Sequence, residues 1–416
     1  MSSEWPLIRM GECVDLFTGF PFKSADYTDG DASVRLLRGD NIAQGQLRWD
    51  GVKKWPSEKC GGLAKYELKE GDIVLAMDRP WIPAGLKFGN VRKADLPALL
   101  VQRVARLRPT ESIRADFLYC IIAGRGFSEY IQNVTTGTAV PHISARQIKE
   151  FQFRLPDLQT QERIGGMLAA LDDRIALLRE TNTTLEAIGQ ALFKSWFVDF
   201  DPVRAKAEGR EPEGLDADTA ALFPDGFEES ELGMVPRGWS VGKVHDLVEL
   251  AYGKALKATD RIKGAVPVYG SGGITGFHNE PLVQEPSIIV GRKGTVGSLY
   301  WEDQPFFPID TVFYVKSELP LSYCFYLLQT LGLDGMNTDG AVPGLNRNNV
   351  YRLPVVIPSE AIIFAFNDTV TALRNRIFLN IEGMRTLASI RDTLLPRLIS
   401  GQLRLPDAEA MVSDAT

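Results

Sequence analysis

This 416-residue chain is poor in the residues that do chemistry. It has three histidines, His142, His245 and His278, and four cysteines, Cys13, Cys60, Cys120 and Cys324, all far apart. No pair has the spacing of a metal site, and no CxxC occurs. The cysteines are expected to be small buried hydrophobes in a reduced, cytoplasmic compartment. No run of 18 apolar residues exists, so no membrane-spanning helix is expected. The opening MSSEWPLIRMGE lacks the basic and apolar stretches of a secretory leader. A phosphate-binding GxxxxGK[ST] loop is missing, because GRKGTVG at 291–297 lacks the Lys-Ser/Thr ending. GSGG at 270–273 is followed by no helical pattern, which argues against dinucleotide binding. The triplet Glu67-Leu68-Lys69 has no acidic partner suitably placed for a nuclease. These absences point to a recognition or assembly protein with no catalysis and no metal of its own.

The net charge of −7 is unevenly spread. Residues 201–235 carry three basic and ten acidic side chains and so hold the whole imbalance, whereas residues 1–150 carry 21 basic and 18 acidic ones. Binding to a polyanion answers to the field on one face, and an acidic connector does not exclude it.

Repetition is the strongest signal present. WPLIRMGECVDLFTGFPFK at 5–23 is echoed by WSVGKVHDLVELAYGKALK at 239–257, and GDIVLAMDR at 71–79 by PSIIVGRKG at 286–294. GTAVPHISARQIKEFQFRLP at 137–156 returns as DGAVPGLNRNNVYRLPVVIP at 339–358. Each copy ends in a long heptad seam. The first runs through Ile164, Leu168, Leu171, Ile175, Leu178, Asn182, Leu185, Gly189, Leu192 and Trp196. The second runs through Phe366, Val370, Leu373, Ile377, Asn380, Met384, Leu387, Arg391, Leu394 and Leu398, always 202 positions later. Apolar steps of four and three sustained over four heptads predict two helices of about 40 residues packed lengthwise. Asn182 either fixes the register of that seam or sits at a wet gap. Asp157 is the expected N-cap of the first helix and Ser359 that of the second.

In the globular parts, strands are expected over 72–77, 98–107, 287–291 and 311–315, with short helices over 115–122 and 322–331. The fold class is α+β. The expected plan is a β-rich domain at 1–155, a helix at 156–200, an acidic connector at 201–236, a second β-rich domain at 237–357, a helix at 358–401 and a tail at 402–416. The connector is read as irregular, or else as an ordered strap whose apolar beads are Leu222, Phe223 and Phe227.

A duplicated variable domain followed by a fixed helix resembles the specificity subunit of Type I restriction–modification systems. SWFVDFDPVRAKAEGREPEGL at 195–215, LFPDGFEESELGMVPRGW at 222–239 and LLPRLISGQL at 394–403 are similar to that family's conserved regions. YGSGGITGFHN, IIVGRKGTVG and PFFPIDTVFYV resemble its target recognition motifs, while MDRPWIPAG at 77–85 departs from the GRKGTVG-like loop. The resemblance implies two β-rich target recognition domains, each reading one half of a split double-stranded DNA target. It also implies an antiparallel coiled coil that sets the distance between the halves and docks two methyltransferase subunits. Those subunits would supply S-adenosylmethionine chemistry on adenine, and restriction subunits, where present, would use ATP and Mg. The alternative is a coiled-coil adaptor that bridges protein partners without reading bases.

Bases are read by Arg, Lys, Asn, Gln, Ser and Thr, and phosphates are held by Lys and Arg. The expected contacts are Lys23, Arg38, Asn41, Arg79, Lys87, His142 and Arg146 in the first domain. In the second they are Lys254, Lys257, Ser271, Arg292, Lys293, Thr295, Asn346 and Arg347. Each could instead be a solvated charge or a structural loop residue, and for Asn41 a turn-forming role is favoured.

Overall fold

A computed structural model describes residues 5–82, 85–137, 141–337 and 344–413. The Ala-Val-Pro echo falls largely on 138–140 and 341–343, outside the described residues. The chain forms two compact units. One comprises Met1–Leu177 with Gly383–Thr416, and the other Leu178–Glu382.

In the first unit a five-stranded sheet has the spatial order Val14–Thr18, Val104–Pro109, Ile73–Ala76, Phe88–Asn90 and Gln44–Gly45. A three-stranded sheet sets Ser33–Leu37 between Ala98–Leu100, which is parallel to it, and Lys54–Pro56, which is antiparallel. Leu7–Arg9 pairs with Gln152–Arg154 and closes the domain. The second unit repeats the plan. Glu249–Tyr252, Val312–Lys316, Ser287–Gly291 and Leu299–Glu302 form one sheet. Val266–Gly270 pairs antiparallel with Gly273–His278 and parallel with Phe307–Pro308. Ser240–Lys243 and Pro354–Ile357 close it. Burial explains the strand sequences: all five residues of Ser287–Gly291 and all four of Ile73–Ala76 are buried, which favours continuous β-branched and small apolar runs.

One expected strand is corrected. Residues 98–107 form two strands in different sheets, Ala98–Leu100 and Val104–Pro109, separated by a turn at Gln102–Arg103. The turn closes through Val104 N donating to Val101 O (3.2 Å), with Arg103 in the left-handed region at φ 65°.

The long helices span Leu158–Phe197 and Glu360–Ile399, 40 residues each. Asp157 caps the first. Its carboxylate accepts from Thr160 N (2.9 Å) and Thr160 Oγ1 (2.8 Å), and these hydrogen bonds hold it below the usual carboxylate range. The second begins directly after Ser359. In the second unit Asn380 Nδ2 donates to Asn182 Oδ1 (2.7 Å), and Arg374 meets Glu186 (3.2 Å). In the first unit Arg391 meets Asp172 at 2.6 Å. Later residues of one helix face earlier residues of the other, so the pairing is antiparallel. Along the seam Ile164, Leu168, Leu171, Ile175, Leu178, Trp196, Phe366, Val370, Ile377, Asn380, Leu387, Leu394 and Leu398 are buried. Asn182, Leu185, Leu192, Leu373 and Met384 are half-buried. At Gly189 the neighbour is Tyr326 of the second β-rich domain, whose Oη would lie 2.1 Å from an added Cβ.

The acidic connector is ordered in structure. It contains helices at Asp201–Ala207 and Ala217–Leu222 and a hairpin of Phe227–Ser230 with Gly233–Pro236. Of its three apolar beads Phe223 is buried edge-on to Trp196 (5.1 Å), Phe227 is half-buried, and Leu222 stays exposed. Aromatic packing, which periodicity does not reveal, orders this stretch. The cysteines are free; Cys13, Cys120 and Cys324 are buried and Cys60 is half-buried. Burial pushes the Cys324 thiol up to about 11. Among the described residues no helix is long and apolar enough to cross a membrane.

Candidate nucleic-acid interface

Both domains build one main-chain frame at the same place. At the end of the central strand, Met77 N donates to Arg103 O (2.8 Å) and Ile143 N to Met77 O (2.9 Å). In the second copy Arg292 N donates to Thr311 O (2.9 Å) and Leu345 N to Arg292 O (2.8 Å). Gly19 N donates to Val104 O as Gly253 N does to Val312 O, each at 3.2 Å. Both glycines are required by close approach. An added Cβ would lie 2.2 Å from Val101 O in the first copy and 2.0 Å from Ile309 O in the second. The bridge between Asp78 and His142 corresponds to that between Lys293 and Gly344. In each copy a cleft opens beside this frame, lined in the first by residues from 22–27, 38–40, 78–87 and 101–103 and in the second by Tyr252, 292–293 and 344–348.

The first cleft has a volume of about 390 Å³ and gathers Arg38, Arg79, Lys87 and Arg103 with Gln102, Asp40 and Asp78. Arg38 reaches Asp40 at 3.2 Å, and Arg103 reaches Asp78 at 2.5 Å. Arg79 is exposed, with its backbone at φ 45° and its N donating to Pro141 O. The second copy places Gly294 there, at φ 87°. A side chain in this region costs about 1–2 kcal/mol, so an arginine is kept in the first copy against local preference. Burial pushes the Lys87 ammonium below its ordinary value; Asp40 opposes this and Arg79 adds to it. Four cations facing two carboxylates leave a positive cleft.

The second cleft, about 240 Å³, is lined by Tyr252, Arg292, Lys293, Asn346, Arg347 and Asn348 together with Gly344 and Leu345. Tyr252, 49% exposed, carries two guanidinium groups near its ring, that of Arg292 at 5.1 Å and that of Arg347 at 4.8 Å from the centroid. Arg292 Nη1 also donates to Asp310 O (2.9 Å). This fixes the Arg292 plane, and Lys293 beside it is exposed. Asn346 spends its side-chain oxygen on capping the helix Arg347–Tyr351, accepting from Asn348 N (2.9 Å).

Of the expected residues, Arg38, Arg79 and Lys87 converge in one cleft and Arg292, Lys293, Asn346 and Arg347 in the other. His142 stands beside the first, its main chain paired with Asp78 and its Nε2 3.4 Å from Thr136 Oγ1. Asn41 closes its own turn by accepting from Arg38 N (3.2 Å). Ser271 Oγ accepts from Thr295 N (3.4 Å), a contact that ties two loops together. Lys23, Lys254 and Lys257 are exposed outside the clefts. Arg146 is exposed and pairs with Glu150 at 2.8 Å along its own helix. Sequence reading missed Gln102, Arg103 and Tyr252. Tyr252 was within reach, because it immediately precedes Gly253, the glycine aligned with Gly19.

Residues 4–187 and 236–375 match the family model of the Type I restriction modification DNA specificity domain. The chain is 28% identical over 416 aligned residues to the HindI specificity subunit of Haemophilus influenzae, covering 82% of this chain and 88% of that protein. It is 23% identical over 367 residues to the MjaIX specificity subunit of Methanocaldococcus jannaschii, covering 81% and 79%. In fold it is similar to the crystal structure of a Type I restriction–modification S subunit from M. genitalium, with a TM-score of 0.54, 19% identity and coverage of 95% and 96%. Both clefts lie inside the two matched segments. The chain therefore belongs to the Type I restriction modification DNA specificity domain family and is a specificity subunit with two target recognition domains.

Proposed function

We propose that each cleft binds one half of a bipartite double-stranded DNA target and that the paired helices keep the halves a fixed distance apart. The observation that carries this is the repeated main-chain frame with different side chains on it. Such a frame fits two readers that dock alike and read differently. Forty helical residues at about 1.5 Å each make a rod of about 60 Å. At about 3.4 Å per base pair that bounds the reach at roughly 17 base pairs. The helical surfaces then dock two modification subunits, whose S-adenosylmethionine chemistry methylates adenine in each half, while ATP and Mg enter with restriction subunits. The chain itself contributes recognition without a catalytic step.

The test is base-resolution mapping of methylated adenines in cells co-expressing the chain with its modification subunit. Residues 1–150 are then exchanged for those of another family member. One half of a split motif is expected to change while the other half stays. A change in both halves would refute independent reading. Binding should also weaken by about 10³-fold or more between 50 and 200 mM salt if six or more phosphates are contacted.

A further inference from the structure

Arg103 occupies the turn between strands Ala98–Leu100 and Val104–Pro109, at φ 65°. Its side chain is 68% exposed, yet Nη1 is held 2.5 Å from Asp78 Oδ2. Folding stability does not account for this arrangement. Exposed ion pairs contribute little, and an arginine backbone in the left-handed region opposes folding. Asp78 is itself fixed on both sides, by Met77 N on Arg103 O and by Arg79 N on Pro141 O. A guanidinium is a flat fork of five donors. With Nη1 tied to Asp78, the Nη2–Nε edge makes no hydrogen bond among the described residues, and it has the shape that pairs bidentately with O6 and N7 of guanine in the major groove. The second domain has Thr311 at the position of Arg103 and Lys293 at that of Asp78, so it cannot repeat this device.

Resting on the DNA-reading role proposed above, we infer that Arg103 reads a guanine in one half of the target and that Asp78 is its positioning residue. Arg38 and Lys87, which line the same cleft, are left for phosphates.

The test uses the full chain in complex with its modification subunit, and duplexes carrying the mapped target with each G·C pair replaced in turn by A·T. In the unaltered complex one G·C pair of one half should be discriminated strongly. Arg103→Ala is expected to reduce that discrimination by about 10- to 100-fold at this position alone. Asp78→Asn should reduce it partially at the same position, leaving the other half untouched. Arg103→Lys, which keeps the charge but loses the fork, should fall between the two. A uniform loss of affinity across all duplexes would make Arg103 a phosphate contact and overturn the inference. So would unchanged discrimination in Arg103→Ala. An unaltered complex with no sequence preference would sink the DNA-reading role itself, whereas preference that survives Arg103→Ala sinks only the guanine assignment.

Discussion

The two recognition domains keep their hydrogen bonds and change their side chains. Met77, Arg103 and Ile143 in the first make the same main-chain contacts as Arg292, Thr311 and Leu345 in the second. On that frame one domain mounts Arg38, Arg79, Lys87 and Arg103, and the other mounts a tyrosine with two arginines over its ring. The difference separates the part of the site that both copies share from the part that varies between them. Backbone partners are fixed by strand geometry, whereas the loop side chains line clefts outside the core and can vary without disturbing it.

The sharpest way to break the comparison is through the close-approach glycines. Gly19→Ala and Gly253→Ala both drive a Cβ into a carbonyl oxygen. Each should destabilise its own domain by about 3 kcal/mol, read as limited proteolysis or an earlier unfolding transition of that domain. A large effect in one and none in the other would show that the frames are only superficially alike.

The helices supply the next contrast. At the offset of 202, Asn182 aligns with Met384 and Asn380 with Leu178, so the polar pair has no counterpart in the other half of the seam. Asn182→Ala leaves the Asn380 amide, 3% exposed, without its acceptor and should cost about 2 kcal/mol. Replacing both asparagines by leucine should cost far less. Chemical denaturation of the single and double variants checks this.

The smallest effect sharpens the comparison most. Arg79→Gly installs the residue that the second copy uses at the same left-handed position. It should raise stability by up to about 1 kcal/mol while weakening DNA binding. Gly294→Ala should do the reverse to stability, by a similar amount. Thermal shift and binding measured on the same samples decide the matter. An Arg79→Gly protein that binds as before would remove Arg79 from the interface.

Much of this was legible in the sequence. The seams from Ile164 to Trp196 and from Phe366 to Leu398 announced the helix pair, since burial of a stripe imposes a period that residue types record directly. The offsets announced two copies, and loop cations such as Arg79 and Arg292 stood next to recognisable strands. The turn at Gln102–Arg103 was hidden, because ALLVQRVARL reads as one continuous strand and nothing in residue type reports a positive φ at an arginine. The order in the connector was hidden as well, since Phe223 and Trp196 are brought together only by folding.

The sequence by itself determined the duplication, the antiparallel-compatible seams and the inventory of cations, all of which depend on local pattern. Only the tertiary structure decided which cations share a cleft, which asparagines are spent on caps and turns, and which arginine is aimed by a carboxylate. Those outcomes depend on loops far apart in the chain meeting at one sheet end, and on hydrogen bonds whose partners no local pattern specifies.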